Sequence, residues 1–149
     1  MKIKSIIVYI FISISLFTGC AKDEFVATLN DIQSIKIELI EKVELKDGVS
    51  YSIKLINESE FNLKQNNVYL SYPIKTERGS SGNEFKVEAT GNRTNIEPNE
   101  QIILNLFTPF EGMSDPNLLI ETPYIEINGY FDEVDDKNLF TSIFPLKEE

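Results

Sequence analysis

Cys20 carries the only thiol among 149 residues, and it directly follows Gly19 in a stretch, Ser5 to Ala21, that holds no charged side chain. Histidine is absent from the chain. That excludes Ser-His-Asp and Cys-His nucleophiles, imidazole acid–base chemistry and most catalytic zinc sites. Carboxylates, lysine, tyrosine and serine remain. Glu58 with Glu60, and Glu97 with Glu100, are the spacings that bring two carboxyls together. A retaining glycosidase needs such a pair about 5–5.5 Å apart in a cleft. These pairs sit in turn-forming stretches with few aromatic neighbours, and 24 acidic residues make chance pairs common. The run Asp132-Glu133-Val134-Asp135-Asp136-Lys137-Asn138 is the candidate for calcium. An EF-hand loop wants an oxygen ligand at its third position, glycine at its sixth and glutamate at its twelfth. Val134 stands at the third, and neither of the other two is present. The run reads as a solvated hairpin tip whose charge discourages edge pairing.

The elements around Cys20 explain its position. Lys2 and Lys4 form a short basic start, and Ile6 to Phe17 is apolar except for Ser13 and Ser15. A secretory core of about 7–15 apolar residues differs from a membrane span of about 20, so residues 1–19 read as a signal peptide. Leu16-Phe17-Thr18-Gly19-Cys20 resembles the lipobox of bacterial lipoproteins. The resemblance implies diacylglycerol on the Cys20 thiol and cleavage between Gly19 and Cys20, with the small Gly19 on the upstream side. Phe17 departs from the commonest pattern, since Leu16 is displaced by one. It implies a palmitate-type acyl anchor as the sole attached group, the lipid bilayer as first partner, and the extracytoplasmic face of the cell membrane or outer envelope as location. Two acyl chains suffice for stable anchoring where one gives only marginal binding.

Removing residues 1–19 takes Lys2 and Lys4 with it. Twelve basic residues then face 24 acidic ones, a net charge of −12. Such a chain repels nucleic acid and anionic lipid surfaces. No cysteine pair is left to form a disulfide, so a core must hold the domain.

Residues 20–31 read as a lipidated tether, and 32–149 as one domain. From Ile35 the pattern has period two. Ile35, Ile37, Leu39, Val43 and Leu45 share one face, and Lys36, Glu38, Lys42 and Glu44 the other. Asp47-Gly48 then predicts a type I′ hairpin turn, whose central residues need positive φ. Val49, Tyr51, Ile53 and Leu55 continue the alternation. Further alternating sets occupy Val68 to Ile74, Phe85 to Ala89, Ile102 to Leu106, Tyr124 to Phe131 and Leu139 to Leu146. Pro73 interrupts the first of these, which marks an edge or a bulge. Arg78 to Asn83 reads as a flexible loop. The fold class expected is all-β: a single immunoglobulin-like antiparallel β-sandwich of about seven strands after an N-terminal signal helix.

Tyr51 to Asn57, Val68 to Ile74, and Ile96-Glu97-Pro98-Asn99-Glu100 before an apolar strand resemble small bacterial extracytoplasmic Ig-like domains. The resemblance covers roughly residues 35–146 and implies a β-sandwich without catalysis.

Phe107 to Tyr124 is the least regular stretch. Ser114-Asp115-Pro116 predicts a helix start. Phe110, Met113, Leu118, Leu119 and Ile120 either cover one end of the sheets or form a partner surface. The expected function is that of a membrane-anchored lipoprotein, a non-enzymatic binding or envelope-assembly module with a protein partner. Inhibition or modulation of an extracytoplasmic enzyme is the alternative.

Overall fold

The computed structural model describes residues 28–147. The signal segment, Gly19, Cys20 and the tether up to residue 27 lie outside them.

Thr28-Leu29-Asn30-Asp31 has the spacing of a capping box, and it forms one. The Thr28 hydroxyl accepts from the Asp31 amide, and the Asp31 carboxylate accepts from the Thr28 amide at 2.8 Å. This nucleates a single helical turn, α1 (Leu29–Gln33). Residues 28–31, expected as the end of the tether, are therefore folded onto the start of the domain.

The chain beyond α1 is an all-β, immunoglobulin-like sandwich of antiparallel sheets. One sheet has the order β1 (Ile35–Glu44), β2 (Gly48–Asn57), β8 (Gln101–Pro109). The other has the order β10 (Leu139–Pro145), β9 (Tyr124–Phe131), β3 (Leu63–Ser71), β6 (Val87–Glu88), with β7 (Asn95–Ile96) also on β3. A separate ribbon pairs β4 (Ile74–Thr76) with β5 (Gly79–Ser81). Ten strands thus replace the seven expected. The additions are short: β7, and the β4–β5 ribbon, in which β5 falls in the stretch read as a flexible loop and β4 starts at Ile74, the expected end of the preceding strand. The Pro73 break explains the ribbon. β3 stops at Ser71, and the Pro73 carbonyl accepts from the Leu119 amide instead of a ladder partner.

The period-two residues of β2 from Val49 on, and of β8 and β9, alternate buried and less buried. Their inward sets meet in one core that includes Ile53, Leu55, Leu104, Val68, Leu70, Ile125 and Ile127, each wholly buried. Phe131 stacks at 4.6 Å on Phe140 and edge-on to Phe61 at 6.0 Å.

β1 departs from its expected faces. A bulge between Leu39 and Glu41 shifts the pairing with β2. Beyond it, Lys42 lies opposite inward Tyr51 and Glu44 opposite inward Val49, while Val43 lies opposite outward Ser50. Val43 is therefore turned to the outer surface, and residues 40–47 are all exposed. The hairpin is also built differently. The bend lies on Lys46 and Asp47, and neither Asp47 nor Gly48 has positive φ. Gly48 is already in β2, and its carbonyl accepts from the Leu45 amide at 2.8 Å.

Asn57 ends β2 as a buried polar staple. Its Nδ2 donates to the carbonyls of Phe61 (2.8 Å), Glu97 (3.1 Å) and Ile96 (3.2 Å). Its Oδ1 accepts from the Ser59 hydroxyl and amide at 2.6 and 3.1 Å. The strand-ending Asn and the Ile96–Glu100 turn thus form one unit, in which Asn99 takes the left-handed conformation (φ 63°) that asparagine tolerates.

Candidate functional site

The two ends of the sandwich differ in chemistry. The chain enters β1 at Ile35, opposite Asn57, and leaves it at Glu44, opposite Val49. The Ile35 end is thus the N-terminal pole, called the anchor-side pole after the anchor expected at Cys20. It carries the loops 58–62, 97–100 and 132–138. Three carboxylates there, those of Asp132, Asp135 and Glu100, are engaged with the chain itself. Asp132 accepts from the Asn62 amide and side chain at 2.8 and 3.0 Å, and Asp135 accepts from the Lys137 amide at 3.0 Å. Glu100 accepts from Arg93 and from the Glu97 amide, which commits its carboxylate to the turn. Among the described residues, no three carboxylate, histidine or cysteine groups are placed to hold a metal ion.

The opposite pole receives the 109–123 segment. Its helical turn, a 3-10 turn, covers Phe110–Met113 and ends at Ser114, rather than beginning there. The side chain of Asp115 accepts from the Asn117 amide at 2.8 Å and folds the next turn locally. Leu118 bridges to Ile74, and the Asn117 carbonyl accepts from the Lys75 amide. The five candidate residues therefore divide. Met113 and Leu118 pack against the core, Leu119 is half-buried, and Phe110 and Ile120 are exposed. Leu118→Asp should cost about 2–4 kcal/mol, as burial of an unpaired charge does, and lower the denaturant midpoint. Ile120→Asp should leave the midpoint within about 0.5 kcal/mol of the parent.

Phe110 does not stand alone. Its amide donates to the Asp47 carbonyl at 3.0 Å, which sets it beside the β1–β2 bend. Leu45 is bonded across that bend to Gly48, and the Phe107 ring lies against Gly48. Val43, Ser50 and Phe107 form one outward row across β1, β2 and β8. The Phe85 ring covers Gly112 within the helical turn. Val43, Leu45, Phe85, Phe107 and Phe110 are each between 37% and 48% exposed. They form an apolar rim around the pole opposite the Ile35 end. The inward assignment of Val43 and Leu45 concealed it. The signal lay in the apolar doublet Leu39-Ile40 followed by the charged doublet Glu41-Lys42, which breaks period two where the bulge falls.

A hydrogen-bonded floor lies beneath the rim. The Tyr51 and Tyr72 hydroxyls are 2.9 Å apart, and Tyr72 is 2.9 Å from the Thr108 hydroxyl. Thr108 donates on to the Val49 carbonyl at 3.2 Å. All three side chains are buried, so this chain of hydroxyls ties β2 and β8 to the segment after β3.

On the outer face of the second sheet, Ser71, Asn83, Glu84, Lys86, Tyr124, Glu126 and Ile143 line an open depression of about 580 Å³. The Lys86 ammonium donates to Glu126 at 2.6 Å, and Asn128 donates to the other Glu126 oxygen at 3.1 Å. The hydrogen bond from Lys86 holds the Glu126 carboxyl below the usual carboxylate range, against the opposing effect of burial.

No protein family matches the chain, and no curated protein matches it. Among solved structures it is similar to a β-glucosidase from Kluyveromyces marxianus, with 12% identity and a TM-score of 0.33. That alignment covers 76% of this chain and 14% of the other, so the chain spans a small part of that protein. It is similar also to the Northeast Structural Genomics Consortium target SoR45, with 21% identity, a TM-score of 0.33 and coverage of 76% and 83%.

Proposed function

We propose that the chain is a lipid-anchored, non-enzymatic binding module of a bacterial cell envelope that presents its apolar rim to a protein partner. The observation that carries this reading is the separation of the two poles. The chain reaches the sandwich at Ile35, and the exposed aromatic residues gather at the far end of β1, about 33 Å away at the rise of a ten-residue strand. A module held by acyl chains on Cys20 would direct that end away from the bilayer. Exposed apolar groups in one contiguous patch are costly in water and mark association surfaces. Aromatic residues are the groups that dominate binding energy at such surfaces.

The test uses intact cells and a photo-crosslinking residue at position 110 or, as control, at 133 on the anchor-side pole. Position 110 should yield a discrete protein adduct that Phe107→Ser abolishes, and position 133 should yield none. Equal labelling from both poles would remove the rim as the partner surface. The anchor is tested separately: Cys20→Ser should move the protein from the membrane to the soluble fraction and end palmitate labelling. Unchanged fractionation would refute the anchor and leave the crosslinking result intact.

A further inference from the structure

A β-sheet exposes hydrogen-bonding backbone at each edge, and folded proteins guard such edges with charge, bulges or brevity. The two main sheets have four edges: β8 is bonded at Asn105 to Thr90 by two main-chain bonds, and the other three differ in how they are guarded. β1 is guarded twice, by Lys36, Glu38, Glu41, Lys42 and Glu44 and by its bulge. β6 has only two residues. β10 has neither protection. Its sequence Leu139-Phe140-Thr141-Ser142-Ile143-Phe144-Pro145 holds no charge, and its pairing with β9 runs without a register shift. β1 stays paired with β2 to its end and never crosses to cover β10. Leu139 and Ile143 are 51% and 57% exposed on the outer face. Pro145 closes the ladder at the distal end, and among the described residues no strand pairs with the other side of residues 139–144.

We propose that this edge receives an extended, cationic segment of a partner protein as an added strand. Main-chain bonds to β10 would supply affinity, and side-chain pockets specificity, as in other strand additions. Ile143 is both an outward residue of β10 and a wall of the 580 Å³ depression. A residue opposite Ile143 lies about 4.5–5.5 Å from it, so a long side chain there reaches over Ile143 toward Tyr124 and Glu84. The lining holds Glu84 and Glu126 against Lys86 alone, and the chain has a net charge of −10, so a lysine or arginine is favoured over an acidic residue.

A second copy is the other occupant of matching chemistry, and geometry disfavours it. Two β10 strands related by a two-fold axis run antiparallel, which points the two anchor-side poles in opposite directions. The eight steps from Cys20 to Thr28 reach at most about 29 Å, less than the roughly 33 Å length of β1. One copy could not return its tether to a shared bilayer along that path. This choice of occupant rests on the anchored reading above. The edge itself does not.

The test titrates the mature chain, in detergent micelles, with an acetylated eight-residue peptide that alternates valine with lysine and threonine. Hydrogen exchange should slow at residues 139–144, and binding should weaken by about tenfold when alternate peptide amides are N-methylated. Ile143→Lys, an exposed change that guards the edge without touching the core, should weaken it as much. No slowing at β10 up to millimolar peptide would overturn the proposal, as would equal binding of the N-methylated peptide. Equal binding of a glutamate-for-lysine peptide would overturn the charge assignment. Slowed exchange at β10 that appears with protein concentration alone, together with a dimer in sedimentation, would assign the edge to a second copy. Loss of the anchored reading would show in membrane fractionation and not in this titration.

Discussion

Asn57→Ala should destabilise the domain by about 3–5 kcal/mol and lower its melting temperature by about 10–20 °C. Five side-chain hydrogen bonds end with that substitution: three donated to carbonyls of Phe61, Ile96 and Glu97, and two accepted from Ser59. A typical hydrogen bond contributes only about 1 kcal/mol net, but a buried partner left without one costs about 1–3 kcal/mol. Asn57 is wholly buried and Ser59 is 5% exposed, so water cannot readily replace the lost groups. Ser59→Ala removes fewer of these bonds and should cost about 1 kcal/mol. Asn57→Asp is the sharper comparison, because it keeps the shape and the acceptor while turning an oxygen toward three carbonyls. Burial and those carbonyls disfavour its charged form, so the folded-state pKa of that aspartate lies above its unfolded value. Its penalty is therefore greatest at neutral pH and relaxes as the pH falls. Urea midpoints of the three variants at pH 5 and pH 7 check the order. Equal stability of Asn57→Ala and the parent would show that the loops at the anchor-side pole hold together without the staple.

Asn57 also shows how far the sequence can be read. Period two locates β2, β8 and β9, since each runs unbroken between buried and exposed sides. The resemblance to small Ig-like domains implies a strand end at Asn57 and a turn at Ile96–Glu100, yet nothing in a one-dimensional pattern joins residues forty apart. β1 misleads for a local reason. Its alternation holds through Leu39, and the bulge then reverses every later side chain, as a one-residue slip must. Skipping Ile40 carries Val43 and Leu45 to the wrong side and hides the rim. Pro73 does interrupt its run, but the residues after it form a ribbon held by the 117–119 segment, a tertiary contact with no sequence period. Within the 110–120 candidates, composition cannot separate Leu118 from Ile120, because both are large aliphatic residues in an irregular stretch. The Ile74 bridge decides that one is covered. The thiol chemistry assigned to Cys20 lies outside the described residues and rests on the sequence.

The rim and the floor beneath it meet at Gly48, which makes that residue the place where fold and proposed surface are tested together. Gly48→Ala should cost about 1–3 kcal/mol, the usual range for forcing extra volume into a packed site. A methyl group built there lies 2.3 Å from the Thr108 carbonyl oxygen and 2.7 Å from the Phe107 ring. Phe107 is 40% exposed and its ring has room to turn outward. The Thr108 carbonyl belongs to β8 backbone, paired with β2 along nine residues, and has no such freedom. The strands must separate locally, and the Thr108 hydroxyl bond to the Val49 carbonyl is strained with them. Gly82→Ala is the control, since that site is exposed with no atom within 4 Å of the added group. Replacing a glycine by alanine in open space is neutral or slightly stabilising. The double variant Gly48→Ala with Phe107→Ala identifies the obstacle. If the backbone carbonyl is the barrier, removing the ring does not restore the urea midpoint. Recovery to the level of Phe107→Ala alone would place the barrier in the ring, and would mean that Gly48 serves the rim's shape rather than the closeness of β2 and β8.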